Sequence, residues 1–240
     1  MLNIWVVVTV VISSFVKGLT GFGFALLSLP VLLTWYTPKE IIPVLMICNF
    51  IASVLIVLQN KTEKLIDKQA GALIATGGIF TLVGVSVLNW VNNNMLVNIS
   101  GAFFIVLTLV SMVKKESSVA SIPGVFYPLA GAFIGFISRL ISISGPPLAL
   151  FLNKAKVSNQ QFREIFAWFS VITAAIAIVG YKYAGLLTVH TIKTALLFTP
   201  ILLSGTILGK QLNASLSVSS FKIINTILTL IASVLLILNR

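Results

Sequence analysis

Ten apolar runs follow one another along the chain with little between them. They cover about 3–16, 22–36, 41–59, 70–90, 95–113, 125–137, 145–153, 162–181, 190–210 and 217–238. Several hold about 20 residues, enough to cross a hydrocarbon core roughly 30 Å thick as a helix. None shows the two-residue alternation of a barrel strand. Composition agrees, with 58% apolar and only 9% charged residues, against roughly 25% charged in an ordinary soluble domain. So little charge cannot cover a surface in water, whereas lipid needs no such cover. These features predict an all-α polytopic membrane protein of about eight membrane segments, with the lipid bilayer as its first partner.

The net charge of +11 does not point to nucleic acid. The cations sit singly or in pairs in the breaks between runs rather than along one helix or arm. That distribution suits loops facing an anionic leaflet. Cys48 is the only cysteine, which suits plain packing. The stretch Met1-Leu2-Asn3-Ile4-Trp5 has no basic n-region, so it reads as a retained membrane segment.

The chain also repeats itself. Gly21 to Pro30 aligns without gaps on Ser142 to Phe151, and each stretch precedes a polar break and a long apolar run. Ala72-Leu73 and Ala195-Leu196 open matching later runs. This divides the chain into two homologous halves, 1–116 and 117–240, around Lys114-Lys115-Glu116-Ser117-Ser118. A straight helix from residue 3 to 36 would be roughly 50 Å long, too long to stand upright in the core. Each half is therefore expected to begin with a broken, Gly-rich helix, and such matched breaks mark binding sites in transporters.

Two topologies fit. If each broken segment crosses, the loop cations divide eight against six. If each is a re-entrant hairpin, the halves are inverted and the division becomes four (Lys39, Lys182, Lys193, Arg240) against ten. The positive-inside rule favours the steeper bias, with both termini outside.

Lys17 and Arg139 each follow roughly 14 apolar residues, about 20 Å along a helix, and fall just before a break. A cation at that depth faces a cavity or partner, unless it snorkels or binds freed carbonyls. Gly18, Gly21 and Gly23 can serve close packing. Alternatively, they expose N–H groups at the N-terminus of the following half-helix, where anions bind. Ser144 and Gly145, with the hydroxyl of Ser142, repeat that arrangement. Pro146 and Pro147 suit a first helical turn. Asn49 and Ser170 occupy matching positions in the segments after the breaks, with Thr20 and Ser53 as further polar candidates. These residues together suggest a site for a small anion.

The five acidic residues, Glu40, Glu63, Asp67, Glu116 and Glu164, lie in loops or at segment ends, so no mid-membrane carboxylate relays protons. His190 also sits near a segment end. No cluster would hold a catalytic metal, and no nucleophile has a base nearby. An enzyme is not expected.

At these residues the chain resembles the TauE/SafE family, whose members are sulfite or organosulfonate exporters. The first copy of the family's repeated signature reads Gly18-Leu19-Thr20-Gly21-Phe22-Gly23 and continues to Pro30. The second reads Gly145-Pro146-Pro147-Leu148-Ala149-Leu150-Phe151-Leu152. Ser142 and Ser144 stand where the fuller motif has glycines, Phe151 replaces a proline, and Phe24 and Ala25 interrupt the first glycine cluster. The resemblance spans nearly the whole chain. It implies a secondary transporter of sulfur-containing oxyanions or organic anions, in the bacterial inner membrane, with no cofactor. Lys17, Arg139 and the two breaks are expected to form one central site worked by alternating access. A passive anion channel and a non-transporting scaffold are the alternatives. A homo-oligomer is compatible with the sequence, which does not fix the oligomeric state.

Overall fold

A computed structural model describes residues 3–21, 23–59, 66–112, 122–155 and 157–213. The run 217–238 and the boundary between the expected halves lie outside the described residues. Those described form nine helices: α1 (Ile4–Thr20), α2 (Phe24–Leu32), α3 (Pro38–Gln59), α4 (Lys68–Trp90), α5 (Asn93–Met112), α6 (Phe126–Ile141), α7 (Gly145–Lys154), α8 (Asn159–Tyr183) and α9 (Val189–Asn213). No strand occurs among them.

Local chemistry sets most of the helix starts. Asn3, Asp67, Asn92, Ser158 and Thr188 each accept a hydrogen bond from a backbone N–H of the first turn of α1, α4, α5, α8 and α9. Before α3, the Glu40 carboxylate reaches back to the Thr37 N–H at 3.0 Å, one arm of a capping box.

Among the described residues, four stretches are long and apolar enough to cross a membrane: Pro38–Leu58, Lys68–Trp90, Glu164–Tyr183 and Val189–Gln211. Their outward faces stay apolar, with Ile79, Phe80, Leu82 and Val83 on α4 and Leu196 and Leu197 on α9 exposed. Such a surface suits hydrocarbon, not water. By contrast α1 and α6 have 17 and 16 residues, about 25 Å of helix, short of the core.

Small residues determine which helices touch. On α1, Ser14 and Gly18 meet Gly205 and Gly209 of α9; on α6, Gly131 and Gly135 meet Leu73, Thr76 and Gly77 of α4. Both pairs run parallel, because rising numbers on one helix meet rising numbers on the other. The missing side chains let the backbones approach closely, as is usual in membrane helix pairs. α3 packs against α8, α3 also against α9, and α8 also against α4.

The α6–α7 segment folds back on itself. Tyr127 in the first turn of α6 lies edge-on to Phe151 near the end of α7, with ring centroids 5.0 Å apart. The directions around α1 agree. α1 is parallel to α9, which is joined by a short turn to α8, and α8 runs against α3. Hence α1 and α3 start at the same end, called here the upper end. Trp5, Trp35, Trp90 and Tyr183 are exposed at this end, the level at which aromatic residues anchor membrane proteins. α4, α6 and α8 start at the opposite, lower end.

Candidate functional site

Both chain breaks abut the α3–α8 pair. α1 stops at Gly21, whose φ of 80° is left-handed and whose N–H bonds back to the Lys17 carbonyl at 2.8 Å. Gly23, at φ 106°, then starts α2. α6 stops in the same way at Ser142, with φ 57°, the one non-glycine residue at positive φ among those described. That backbone strains any L-residue other than glycine, and the serine hydroxyl is anchored by donating to the Ile42 carbonyl at 3.4 Å.

Lys17 is wholly buried. Its ammonium donates to Asn49 Oδ1 at 2.6 Å and Ser53 Oγ at 3.3 Å, and lies 5.7 Å from the centre of the Phe166 ring. Asn49 and Ser53 are on α3, and Phe166 is on α8. Arg139, 1% exposed, is the largest buried side chain described. Its Nε and Nη2 donate to Ser138 Oγ at 3.2 and 2.9 Å. Its Nη1 donates to the Thr173 carbonyl of α8 at 3.2 Å and to Met46 Sδ of α3 at 2.9 Å. All these partners are neutral.

The two cations therefore reach one seam. Met46, Asn49 and Ser53 follow i, i+3, i+7 spacing along α3, and Phe166, Ser170 and Thr173 follow i, i+4, i+7 along α8, so each set shares a helix face. Each set spans about 10 Å of helix. Ser170 lies between Phe166 at the Lys17 end and Thr173 at the Arg139 end. It is buried, and its Oγ has no hydrogen-bond partner among the described residues. A buried hydroxyl left unpaired costs about 1–3 kcal/mol, which a polar ligand at the seam would recover.

The other expected residues divide. Gly23, Ser144 and Gly145 are buried at the starts of α2 and α7, and neither start has a side-chain cap. α2 therefore has first-turn N–H groups to offer. In α7, Pro146 and Pro147 carry none and the Leu148 N–H bonds to the Ser144 carbonyl, leaving that of Gly145. Gly21 was expected to offer its N–H to a ligand, but that N–H closes α1. Gly18 was expected at the site and instead faces α9, where a Cβ would sit 2.3 Å from the Thr206 carbonyl oxygen. Thr20 is the last residue of α1.

Several neighbours escaped the sequence. Ser138, Met46, Phe166 and Thr173 contact the cations, and Gly84 of α4 leaves room for the stem of Arg139. Only Ser138 carried a signal, since it matches Lys17 in the repeat. No group of three or more metal-ligating side chains occurs among the described residues.

Comparison with known families gives a match over nearly the whole chain. The family described as Sulfite exporter TauE/SafE matches residues 6–236. The chain belongs to that family. No curated protein and no solved structure matches it. As a TauE/SafE chain it is a membrane transporter of anions, and the two buried cations with neutral partners described above lie beside the two helix breaks.

Proposed function

We propose that the protein exports a small sulfur oxyanion or organosulfonate across the bacterial inner membrane by alternating access. The observation that carries this is Ser170, a buried hydroxyl with no hydrogen-bond partner among the described residues, between two buried cations with neutral partners. Lys17 and Arg139 offset the charge of the anion. Ser170 donates one hydrogen bond, and the first-turn N–H groups of α2 with that of Gly145 add partial positive charge at the two breaks.

The halves are homologous and inverted, each opening with a re-entrant hairpin. Helix starts at 24, 38 and 68 and at 145, 159 and 189 support the repeat, each pair being 121 residues apart. The pairings α1 with α9 and α6 with α4 support a pseudo-twofold relation, since each joins the first helix of one half to the fourth of the other. The Tyr127–Phe151 contact supports the hairpin. Rocking one half against the other about the α3–α8 seam then exposes the site to either side. An inside-negative potential drives anion efflux by about 2.3 kcal/mol per charge per 100 mV.

Counterflow in vesicles reconstituted with the purified protein tests the mechanism. Unlabelled sulfite inside should drive transient accumulation of labelled sulfite above its outside concentration. Flux that only relaxes to equilibrium would favour a channel, and no flux of any anion would favour a scaffold.

Two further outcomes are expected. Ser170→Ala should weaken anion binding about tenfold, as loss of one hydrogen bond to a charged group costs about 1.5 kcal/mol; titration by thermal shift measures it. A single cysteine at Thr188, at the upper end, should react with an impermeant maleimide in intact cells, while one at Gly124, at the lower end, should not. The reverse pattern would invert the assigned orientation.

A further inference from the structure

The groove between α5, α6 and α7 is unused by the anion site. It has a volume of about 570 Å³ and is lined by Phe103 and Val106 of α5, Phe133 and Ile137 of α6, and Leu150 and Phe151 of α7, among other apolar residues. No polar side chain lines it, so it cannot hold the transported anion. Val106 and Phe133 are more than half exposed, so the groove is open on the flank that faces hydrocarbon.

Its lower end is charged. Pro147, Leu150 and Phe151 of the lining share a face of α7 with Lys154, at i, i+3, i+4 and i+7. Lys154 is exposed, one turn past the last lining residue. α5 runs towards the same end, and in the sequence its last residue, Met112, is followed by Val113 and then Lys114 and Lys115. By the positive-inside rule the end that carries Lys154 meets the cytoplasmic leaflet, where anionic headgroups are found. A second copy of this chain is a poorer occupant, because a twofold contact here would bring two Lys154 side chains together.

We propose that this groove is a binding site for one anionic phospholipid, with an acyl chain between α5 and the α6–α7 hairpin and its phosphate on Lys154. The lipid wedges against the hairpin that carries Arg139, independently of what the central site transports.

Native mass spectrometry of the full chain, titrated with phosphatidylglycerol or with phosphatidylcholine of the same acyl chains, tests it. One phosphatidylglycerol should be retained at roughly fivefold lower lipid concentration than phosphatidylcholine, the factor expected for one lysine at an anionic headgroup. Lys154→Gln, an exposed change that leaves packing intact, should abolish that preference while some lipid is still held. Ala102→Phe with Ala130→Phe should fill the groove and release both lipids. Equal retention of the two lipids by the unaltered chain would overturn the proposal, as would a preference that survives Lys154→Gln. So would a filled groove that keeps its lipid, or a protein dimer in place of bound lipid.

Discussion

Lys17→Ala should reduce sulfite flux at least 100-fold while leaving a folded protein. The ammonium is fully buried and bonded to Asn49 and Ser53, so truncation removes one of two charges facing the seam. An interaction between opposite charges in a water-poor site is worth several times its value at a surface. A loss of about 3 kcal/mol in binding corresponds to more than 100-fold. Folding should suffer less, because water can enter the polar space left behind and bond to Asn49 and Ser53. Lys17→Arg should keep the charge but misplace it, since a planar fork cannot replace a point donor between an amide and a hydroxyl. Flux through vesicles of matched protein content distinguishes the cases. An alanine variant that transports like the unaltered chain would remove Lys17 from the site.

Arg139 deserves a different expectation. It touches the other two helices of the seam, lies against Gly84 of α4, and its own carbonyl accepts the Tyr181 hydroxyl at 3.4 Å. Removing it therefore leaves the Thr173 carbonyl and Ser138 hydroxyl short of a donor at a junction of four helices, so loss of transport and loss of fold should come together. Lys17 is the cleaner probe of the anion for that reason.

The sequence exposed elements whose cause is local and concealed those whose cause lies across the fold. Runs 41–59 and 70–90 anticipate α3 and α4 closely because apolar length and capping act along the chain. Run 3–16 stops short of Thr20, since Lys17 ends the apolar stretch without ending the helix; the left-handed turn at Gly21 ends it. The two breaks were legible because glycine and proline constrain the backbone wherever they occur. Lys17 and Arg139 stood out because charge at that depth demands a reason. Met46, Phe166 and Thr173 did not, being ordinary residues for a membrane helix whose importance comes only from what packs opposite. Gly18 illustrates the same limit in reverse: it sits in the signature stretch, yet only the position of α9 reveals that it serves packing.

That distinction among glycines supports the second large expectation, for stability. Gly135→Leu should lower the melting temperature by roughly 10 °C or abolish folded yield. A Cβ at Gly135 would lie 2.2 Å from the Gly77 carbonyl oxygen and 2.7 Å from the Gly77 Cα, so the obstacle is backbone, which has no rotamer to adopt. α6 and α4 must then separate along their whole contact. Overpacking of this kind costs about 3 kcal/mol at the upper end of its usual range, which for a chain of this size is about 10 °C. The separation also draws Arg139, one turn further along α6, away from the seam, so residual protein should transport poorly. Two comparisons isolate the cause. Gly71→Leu, on α4 with nothing within 4 Å of its Cβ, should melt within a degree or two of the unaltered chain. Gly21→Ala also meets nothing within 4 Å but holds φ at +80°, so only left-handed strain of about 1–2 kcal/mol applies and the melting temperature should fall between the other two. If Gly135→Leu and Gly71→Leu melted alike, close approach of α6 to α4 would not be what joins these helices.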